Sequence, residues 1–312
     1  MYRGRFAPSP TGDLHLGSAA SALVGWLVAR AEGGSFILRV EDIDTPRVRP
    51  GMEAMQLDDL RWLGLDWDEG PDVGGPHGPY RQSERKHLYD RAIADLAGRG
   101  LTYFCDCSRA EIARVASAPH PGEEGPRYPG TCRARTMSDR DWKRSPAVRL
   151  FVPDRSVALE DRWQGLVREQ VERSVGDFVL RRGDNVHAYQ LAVVVDDLAM
   201  GITEVVRGCD LLGSAARQAL LCDLLGAAPP RYAHHAMIVS PDGSRLAKRA
   251  GGATLRDQRG AGASPGAVVA SLAASLGLLG EGAPTSITPR ELLASFDPAR
   301  LAGKKVAVAT IA

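Results

Sequence analysis

The sequence predicts an α/β protein built on a doubly wound parallel sheet. The chain opens with a strand, a turn, a helix and a second strand. That second strand, residues 35–40, is apolar over almost its whole length, as expected where helices cover both faces of a sheet. Apolar segments after residue 147 are typical of the other half of the same sheet. In such a sheet, ligands bind at the carboxyl ends of the strands.

The first strand leads into a turn rich in proline and glycine, within the sequence RFAPSPTGDLHLGS from Arg5 to Ser18. Pro8 and Pro10 end the strand, whereas Gly12 and Gly17 let a ligand approach the backbone with no β-carbon in between. The helix that follows would direct its free N–H groups and its partial positive charge at the turn. The turn is therefore suited to phosphate, and an ordinary strand–helix turn with a surface histidine is the alternative.

Composition indicates a globular protein of about two domains. Of its 312 residues, 44% are hydrophobic and 25% are charged, and the net charge is only +1, so any RNA-binding surface must be local. The N-terminus lacks the apolar segment of a signal peptide, and no segment approaches the ~20 apolar residues of a membrane helix. We therefore expect a cytoplasmic protein with no membrane partner.

Apolar spacing assigns the remaining elements. Predicted helices are residues 18–31, 52–63, 84–96, 215–225 and 264–279 with a capped helix from residue 288, and the later strands are 148–152, 177–181, 191–195 and 202–206. An acidic segment, Glu41 to Asp44, falls at the same sheet edge as the opening turn. Residues 105–145 show little apolar periodicity, which is typical of an insertion.

The five cysteines divide into a cluster and two distant residues. Cys105, Cys107 and Cys132 lie within one segment, whereas Cys209 and Cys222 lie in apolar surroundings and are expected to be buried thiols. An odd count argues against a disulfide framework. Three thiolates in a segment without its own core suit a structural Zn²⁺, and three cysteines without metal are the alternative.

A basic loop, RLAKR at Arg245 to Arg249, follows a turn signal at residues 240–243. Mobile cationic loops of this kind close over polyphosphates. A chain that combines this loop with PSPTG-x-LHLGS near its start resembles the class I aminoacyl-tRNA synthetases. Their HIGH-like and KMSKS-like motifs occupy these places in a Rossmann-type fold.

Five motifs narrow the resemblance to the glutamyl-tRNA synthetase branch: RFAPSPTGDLHLGS, VEDID, AYQLAVVVDD, ITEVVRG and RLAKR. The similarity extends from Arg3 to about Leu255. Only 63 residues follow Arg249, too few for the helical anticodon-binding region of that branch. In this respect the chain resembles the shortened members, the glutamyl-Q tRNA(Asp) synthetases.

The resemblance implies a chain of four parts. They are the first half of a Rossmann-type catalytic domain in residues 1–103, a zinc-containing insertion in 104–146, the second half with the KMSKS-like loop in 147–250, and a short helical region in 251–312. It also implies a ligase that activates L-glutamate with ATP and Mg²⁺, without tRNA. A monomer would then transfer glutamate to the queuosine base in the anticodon of tRNA(Asp). A truncated glutamyl-tRNA synthetase that charges a tRNA 3′ end, and a non-catalytic RNA- or amino-acid-binding paralogue, are the alternatives.

By the same resemblance, eight residues bind L-glutamate: Arg5, Phe6, Ala7, Pro8, Ser9, Glu41, Tyr189 and Arg207. These types suit the ligand, because two arginines match its two carboxylates and Glu41 matches its ammonium group. The residues alone leave other roles open. Glu41 could pair with Arg39 or Arg47, and Arg207 could be a strand-end charge near Asp210.

ATP is assigned by the resemblance to Gly12, His15, Gly17, Ser18 and Lys248, with His15 and Lys248 as the catalytic residues. Positioning and charge neutralisation would carry the rate, since the attacking carboxylate is already ionised and pyrophosphate is a good leaving group. Two positions depart from the family pattern. Ser18 stands where the HIGH motif has its second histidine, and RLAKR lacks the serine of KMSKS.

Two arguments point to different residues as the fourth zinc ligand. On chemistry alone it is His120, because imidazole commonly accompanies thiolates. The family pattern, Cys-x-Cys followed by Tyr-x₃-Cys, points instead to Tyr128 in YPGTC. We therefore predict Cys105, Cys107, Tyr128 and Cys132 as ligands, with His120 as the fallback.

Overall fold

The structure is a computed structural model that describes residues 1–115, 127–136, 138–139, 141–239 and 254–309. Two sequence predictions lie outside these residues: His120, and the basic loop Arg245 to Arg249 with its Lys248. None of the helices in the described ranges has both the length and the apolar composition needed to cross a bilayer.

The strands of the described residues are short. They are β1 (Arg3–Phe6), β2 (Ser35–Leu38), β3 (Thr102–Cys105), β4 (Ala147–Leu150), β5 (Val157–Asp161), β6 (Gly165–Glu169), β7 (Val179–Arg181), β8 (Glu204–Gly208), β9 (Arg231–His235), β10 (Met237–Val239) and β11 (Val306–Val308). Predicted strands at residues 35–40, 148–152, 177–181 and 202–206 are confirmed, with bounds shifted by at most two residues at either end.

All six helices predicted from the sequence are present in the described residues, together with four that the sequence did not predict. They are α1 (Leu16–Ala31), α2 (Met52–Trp62), α3 (Lys86–Gly98), α4 (Arg109–Val115), α5 (Val171–Ser174), α6 (Tyr189–Ala199), α7 (Leu212–Leu224), α8 (Leu255–Gly260), α9 (Pro265–Ser275) and α10 (Pro289–Ala294). The predicted cap of α10 is present, because Thr288 and Glu291 form a reciprocal capping box.

Two pairs of parallel strands lie side by side, and one of them contains β1, the first strand of the chain. β1 pairs with β2, and β8 pairs with β9, both in parallel. The backbone N–H of Thr203, next to β8, donates to the carbonyl of Arg3 on β1 at 2.9 Å. The carboxyl ends of β1, β8 and β9 therefore face the same side of the molecule.

Both faces of these strands are covered. Phe36 and Leu38 belong to the apolar cluster around α1, whereas Ile37 between them belongs to the cluster around α6 and α7. On β8, Val206 and Val205 divide in the same way. Alternate residues of one strand thus enter two cores, which explains the continuous apolar run in the sequence.

The predicted strand at residues 191–195 is wrong, because this segment lies within helix α6. Every residue from Leu191 to Asp197 is buried, so no exposed polar face marks the helical period in the sequence. Consecutive valines also favour the extended conformation on propensity alone. Packing of α6 against α3 and α7 overrides that preference.

Of the remaining strands, β5 and β6 extend the β8–β9 pair into a four-stranded sheet of order β6-β5-β9-β8, and the others form separate sheets. β3, β4 and β7 form an antiparallel sheet, and β5 joins β6 in antiparallel and β9 in parallel. β10 pairs with β11, a strand in the C-terminal region that the sequence analysis predicted as helical. Of the two thiols predicted to be buried, Cys222 is buried but Cys209 is only half-buried.

Candidate active site

A cavity of about 780 Å³ lies at the carboxyl ends of β1, β8 and β9. All of the described residues assigned above to glutamate and ATP line it, namely Arg5, Phe6, Ala7, Pro8, Ser9, Gly12, His15, Gly17, Ser18, Glu41, Tyr189 and Arg207. These residues come from four separate parts of the sequence. Three of these parts lie at the carboxyl ends of the parallel strands β1, β2 and β8, and the fourth, Tyr189, begins α6.

The opening turn forms one wall of the cavity and is held from behind by α2. The side-chain amide of Gln56 donates to the carbonyls of Ser9 and Gly12 at 3.0 and 2.7 Å. A β-carbon added at Gly12 or Gly17 would meet no atom of the described residues within 4 Å. Packing against these residues therefore does not require glycine at either position, and both leave backbone open to the cavity.

A buried network of charges lies behind the glutamate residues. Asp197 on α6 accepts hydrogen bonds from Nε and Nη2 of Arg5 at 3.2 and 3.3 Å, and from Nη1 of Arg39 at 2.6 Å. Arg39 also donates to Oε1 of Glu41 at 3.1 Å. Because Arg39 is fully buried, its charge needs these partners. The network fixes the positions of Arg5 and Glu41.

The sequence left open whether Glu41 pairs with Arg39 or with Arg47, and the structure shows the pair with Arg39. Glu41 lines the cavity as well. Burial raises the pKa of Glu41, and the guanidinium groups of Arg39 and Arg5 offset this effect only in part. A cation bound beside Glu41 would supply the missing compensation. The carboxylate therefore suits an ammonium group.

One guanidinium nitrogen of Arg207 has no partner among the described residues. Its Nε donates to His234 at 2.9 Å and its Nη2 donates to the carbonyl of Leu211 at 3.2 Å. Its Nη1 is buried and makes no hydrogen bond to any described residue, and no ion pair joins it to Asp210 within the described ranges. A buried donor of this kind is costly unless a ligand pairs with it, and a carboxylate does so best.

Tyr189 and His15 both line the cavity. Tyr189 begins α6, and desolvation together with the charge of Glu41 raises the pKa of its phenol, which stays a neutral hydrogen-bond donor at physiological pH. His15 precedes α1 and its side chain is exposed. The backbone of His15 pairs with Thr254, so the chain returns to the turn immediately after residues 240–253.

A second histidine, His235, lies in the cavity wall, and no motif in the sequence predicted it there. Its Nδ1 donates to the carbonyl of Ala236 at 2.9 Å, and its Nε2 accepts a hydrogen bond from Ser21 at the same distance. Burial lowers the pKa of His235 to about 4. The signal in the sequence for this residue is the pair of adjacent histidines, His234 and His235. They end β9, which pairs in parallel with the strand of Arg207. Without the β8–β9 register, nothing in the sequence linked them to the site.

Asp196 and Asp197 are both buried in α6. Asp196 accepts hydrogen bonds from Arg85 at 2.6 Å and from Tyr89 at 2.9 Å, and Asp197 accepts those of Arg5 and Arg39. Their oxygens are therefore used by protein donors.

The three clustered cysteines converge beside Tyr128. The sulfur atoms of Cys105, Cys107 and Cys132 all lie within 4.8 Å of one another, and those of Cys107 and Cys132 are 3.6 Å apart. The Tyr128 hydroxyl lies 3.3 Å from Cys105 Sγ and 3.9 Å from Cys107 Sγ. Together with Ile112 and Tyr103, these residues form only a small apolar cluster.

Comparison with known proteins agrees with this arrangement. The family model described as "tRNA synthetases class I (E and Q), catalytic domain" matches residues 1–310. A curated protein of Symbiobacterium thermophilum named glutamyl-Q tRNA(Asp) synthetase is 51% identical over 99% of this chain and 96% of its own length. A glutamate–tRNA ligase of Syntrophus aciditrophicus is 42% identical over 98% of this chain and 63% of its own length.

A solved structure shows the same fold. The glutamate–tRNA synthetase of Elizabethkingia anophelis superposes with a TM-score of 0.78 at 30% sequence identity, covering 98% of this chain and 68% of that one. The relative from Symbiobacterium thermophilum matches this chain over nearly the full length of both proteins. The chain is therefore a ligase that belongs to the class I tRNA synthetases of the glutamate and glutamine group and, within them, to the glutamyl-Q tRNA(Asp) synthetase family.

Proposed function

We propose that this protein activates L-glutamate with ATP to glutamyl-adenylate without tRNA, and transfers the glutamate to the queuosine base in the anticodon of tRNA(Asp). The activation step is supported above all by Nη1 of Arg207, which has no partner among the described residues. Arg207 lines the same cavity as Arg5 and Glu41. The family carries the transfer step, since the relatives that match over most of both lengths bear the glutamyl-Q name.

In this proposal, Arg5 and Arg207 bind the two carboxylates of glutamate, and Glu41 binds its ammonium group. Tyr189 donates a hydroxyl hydrogen bond, and residues 6–9 form the floor. One oxygen of the α-carboxylate attacks the α-phosphorus of ATP, and pyrophosphate leaves with the electron pair of the broken P–O bond. Placing the two reactants in line is the main contribution of the cavity.

We assign ATP to Gly12, His15, Gly17, Ser18 and Lys248, with His15 and Lys248 as the catalytic residues. Both would donate to phosphate oxygens as charge moves onto the leaving pyrophosphate, and Mg²⁺ bound by ATP would neutralise part of the same charge. The assignment of Lys248 to ATP is supported by the described residues that precede and follow it in the sequence. Ile238 and Thr254, which flank residues 240–253, both line the cavity.

We further propose that Cys105, Cys107, Cys132 and Tyr128 hold a structural zinc ion. The donor set fits this ion, because sulfur atoms on a tetrahedral zinc with bonds of about 2.3 Å lie roughly 3.8 Å apart. The separation of 3.6 Å between Cys107 and Cys132 is close to that value. When bound, zinc would crosslink a segment that has little apolar core.

Metal analysis tests the zinc proposal. We expect about one zinc ion per purified chain, and Cys107→Ala should remove it because three ligands hold zinc much less firmly than four. Cys209→Ala is the matched control, since this thiol lies outside the cluster and should leave the zinc content unchanged. Zinc-free wild-type protein, or full zinc content in Cys107→Ala, would refute the assignment.

The four-part division of the chain, the cytoplasmic location and the monomeric state also belong to this proposal. Within it, β1, β2, β8 and β9 form one Rossmann-type sheet. The support is the parallel order of both pairs, the hydrogen bond between Thr203 and Arg3, and the cover of helices on both faces. Residues 104–146 then form the zinc-containing insertion between the two halves.

Two assays test the proposed function. The first is ATP–pyrophosphate exchange driven by L-glutamate without tRNA, which should proceed with glutamate and not with glutamine. The second is transfer of labelled glutamate to tRNA(Asp) with and without queuosine, where only the queuosine form should accept. A tRNA(Asp) that lacks its 3′-terminal adenosine is the decisive control, because a base acceptor survives that deletion.

Each outcome discriminates between the alternatives. Transfer that needs the 3′ adenosine, or transfer to tRNA(Glu), would identify an enzyme of the type named glutamate–tRNA ligase. Absence of exchange with zinc-loaded protein would indicate a non-catalytic paralogue. Retention of label on queuosine tRNA(Asp) without its terminal adenosine is the result that we expect.

A further inference from the structure

A buried histidine lies directly behind Arg207. β8 and β9 run in parallel with Arg207 opposite His234, so both side chains lie in the same row of the sheet. His234 is 0% exposed, and its Nε2 lies 2.9 Å from Nε of Arg207. None of the roles proposed above uses this residue.

The partners of His234 determine where its proton is. The Nε of Arg207 can only donate, so Nε2 of His234 must accept and carries no proton. The proton is then on Nδ1, which donates to Oδ2 of Asp161 at 2.5 Å. Asp161 thereby selects the tautomer that offers a lone pair to Arg207.

Asp161 is itself fixed by the backbone. Its Oδ1 accepts hydrogen bonds from the backbone N–H groups of Trp163, Gln164 and His234 at 3.0 to 3.2 Å. Both side chains of the Asp161–His234 pair are fully buried. The pair therefore has one orientation before any ligand arrives.

The remaining contacts of Arg207 complete its immobilisation. The carbonyl of Leu211 holds Nη2, and the ring of Tyr232 lies 5.5 Å from the guanidinium carbon. Only Nη1 is left for a ligand among the described contacts. A guanidinium that is already oriented loses little conformational entropy when a carboxylate binds.

We propose that His234, oriented by Asp161, is a positioning residue that presets Arg207 for a carboxylate of the amino-acid substrate. This inference rests on the proposed function, since it takes Arg207 as a glutamate ligand. It assigns to the Asp161–His234 pair an effect on glutamate affinity and none on ATP.

The charge state of His234 is consistent with this role. Burial and the neighbouring Arg207 and Arg5 lower the pKa of His234, although its hydrogen bond to Asp161 acts in the opposite direction. The imidazole is therefore neutral at physiological pH, as an acceptor for Arg207 must be.

Exchange kinetics of two His234 variants test the proposal. His234→Leu removes the acceptor and should raise KM for glutamate about 10- to 100-fold, the range for losing a hydrogen bond to a charged group. KM for ATP and kcat should change little, as for an interaction made equally before and during reaction. His234→Gln keeps an oxygen acceptor near Nε2 and should recover most of the affinity.

Asp161→Asn provides a second variant with a distinct signature. Its side-chain oxygen can keep the three backbone hydrogen bonds, but its amide would donate to Nδ1 of His234. The imidazole proton would then move to Nε2 and oppose the N–H of Arg207. We expect a rise in KM for glutamate as large as in His234→Leu, with KM for ATP nearly unchanged.

The matched control is a similar cluster at the other end of β1. Nδ1 of His77 lies 3.0 Å from Nη2 of Arg3 and 3.1 Å from Oε2 of Glu69, and none of these residues lines the cavity. His77→Leu should leave KM for glutamate unchanged.

The outcomes separate this inference from the proposed function. No glutamate-dependent exchange in the wild type contradicts the function. An active wild type with unchanged KM for glutamate in Asp161→Asn and His234→Leu contradicts the positioning role alone. If KM rises equally for glutamate and for ATP in these variants, and His234→Gln does not recover the affinity, the Asp161–His234 pair has only a structural role. That result would also overturn the inference.

Discussion

Replacement of Arg207 by glutamine is expected to raise KM for L-glutamate in ATP–pyrophosphate exchange by on the order of 100-fold or more. The guanidinium is buried, and its Nη1 has no partner among the described residues. Without the arginine, a carboxylate would enter the cavity with no cation to pair with on this side. The neutral glutamine offers at best one ordinary hydrogen bond, which is about half as strong as a charge-assisted one.

Arg231→Gln is the matched control for this experiment. Arg231 begins β9 at the far end of the same parallel pair, where it is exposed and contacts Glu204. It is an exposed residue that does not line the cavity, so its loss should leave both KM values within about twofold. Unchanged glutamate KM in Arg207→Gln would contradict the role of Arg207. Equal effects of both variants would show that net charge, and not position, matters.

The second large effect is expected on stability. Asp197→Asn should lower the free energy of unfolding by about 3 to 5 kcal/mol, the cost of breaking a buried ion pair by removing one charge. Asp197 pairs with both Arg5 and Arg39, and all three side chains are buried. Denaturant unfolding measures the change. Glutamate affinity should fall too, because Arg5 would lose the partner that orients it.

Asp223→Asn provides the surface comparison. Asp223 pairs with Arg155 at 3.2 Å, and nearly half of each side chain is exposed. An exposed pair contributes at most about 1 kcal/mol, so this variant should unfold almost as the wild type does. A loss in Asp197→Asn no larger than that in Asp223→Asn would contradict the importance of the buried network.

The pH dependence of stability provides an independent test of the role of Asp197. Burial acts to raise the pKa of Asp197, but Arg5 and Arg39 outweigh it and hold the pKa below its usual value of 3.8. A carboxylate with a lowered pKa stabilises the fold above its unfolded-state pKa and loses this effect as the pH falls through the folded value. The stability difference between wild type and Asp197→Asn should therefore be constant above pH ~5 and shrink below pH ~4.

The sequence was sufficient for features that depend on neighbouring residues. Prolines and glycines near residue 10 predicted the turn, and the apolar run at residues 35–40 predicted a strand covered on both faces. The three cysteines of one segment predicted a thiol cluster, and the structure brings them together beside Tyr128, which the family resemblance and not its own chemistry had assigned to them. In each case, the determining physical effect is local: backbone restriction, side-chain periodicity or chemical type.

Features that depend on contacts between distant segments were decided only by the tertiary structure. Residues 191–195 favour a strand by composition, yet packing on all sides makes them the centre of helix α6. That change of element turns Asp197 toward Arg5 and Arg39, more than 150 residues away in sequence. The pairing of Asp161, His234 and Arg207 likewise follows from strand register. A sequence carries charge and periodicity, but burial and hydrogen-bond partners exist only once the distant segments have packed together.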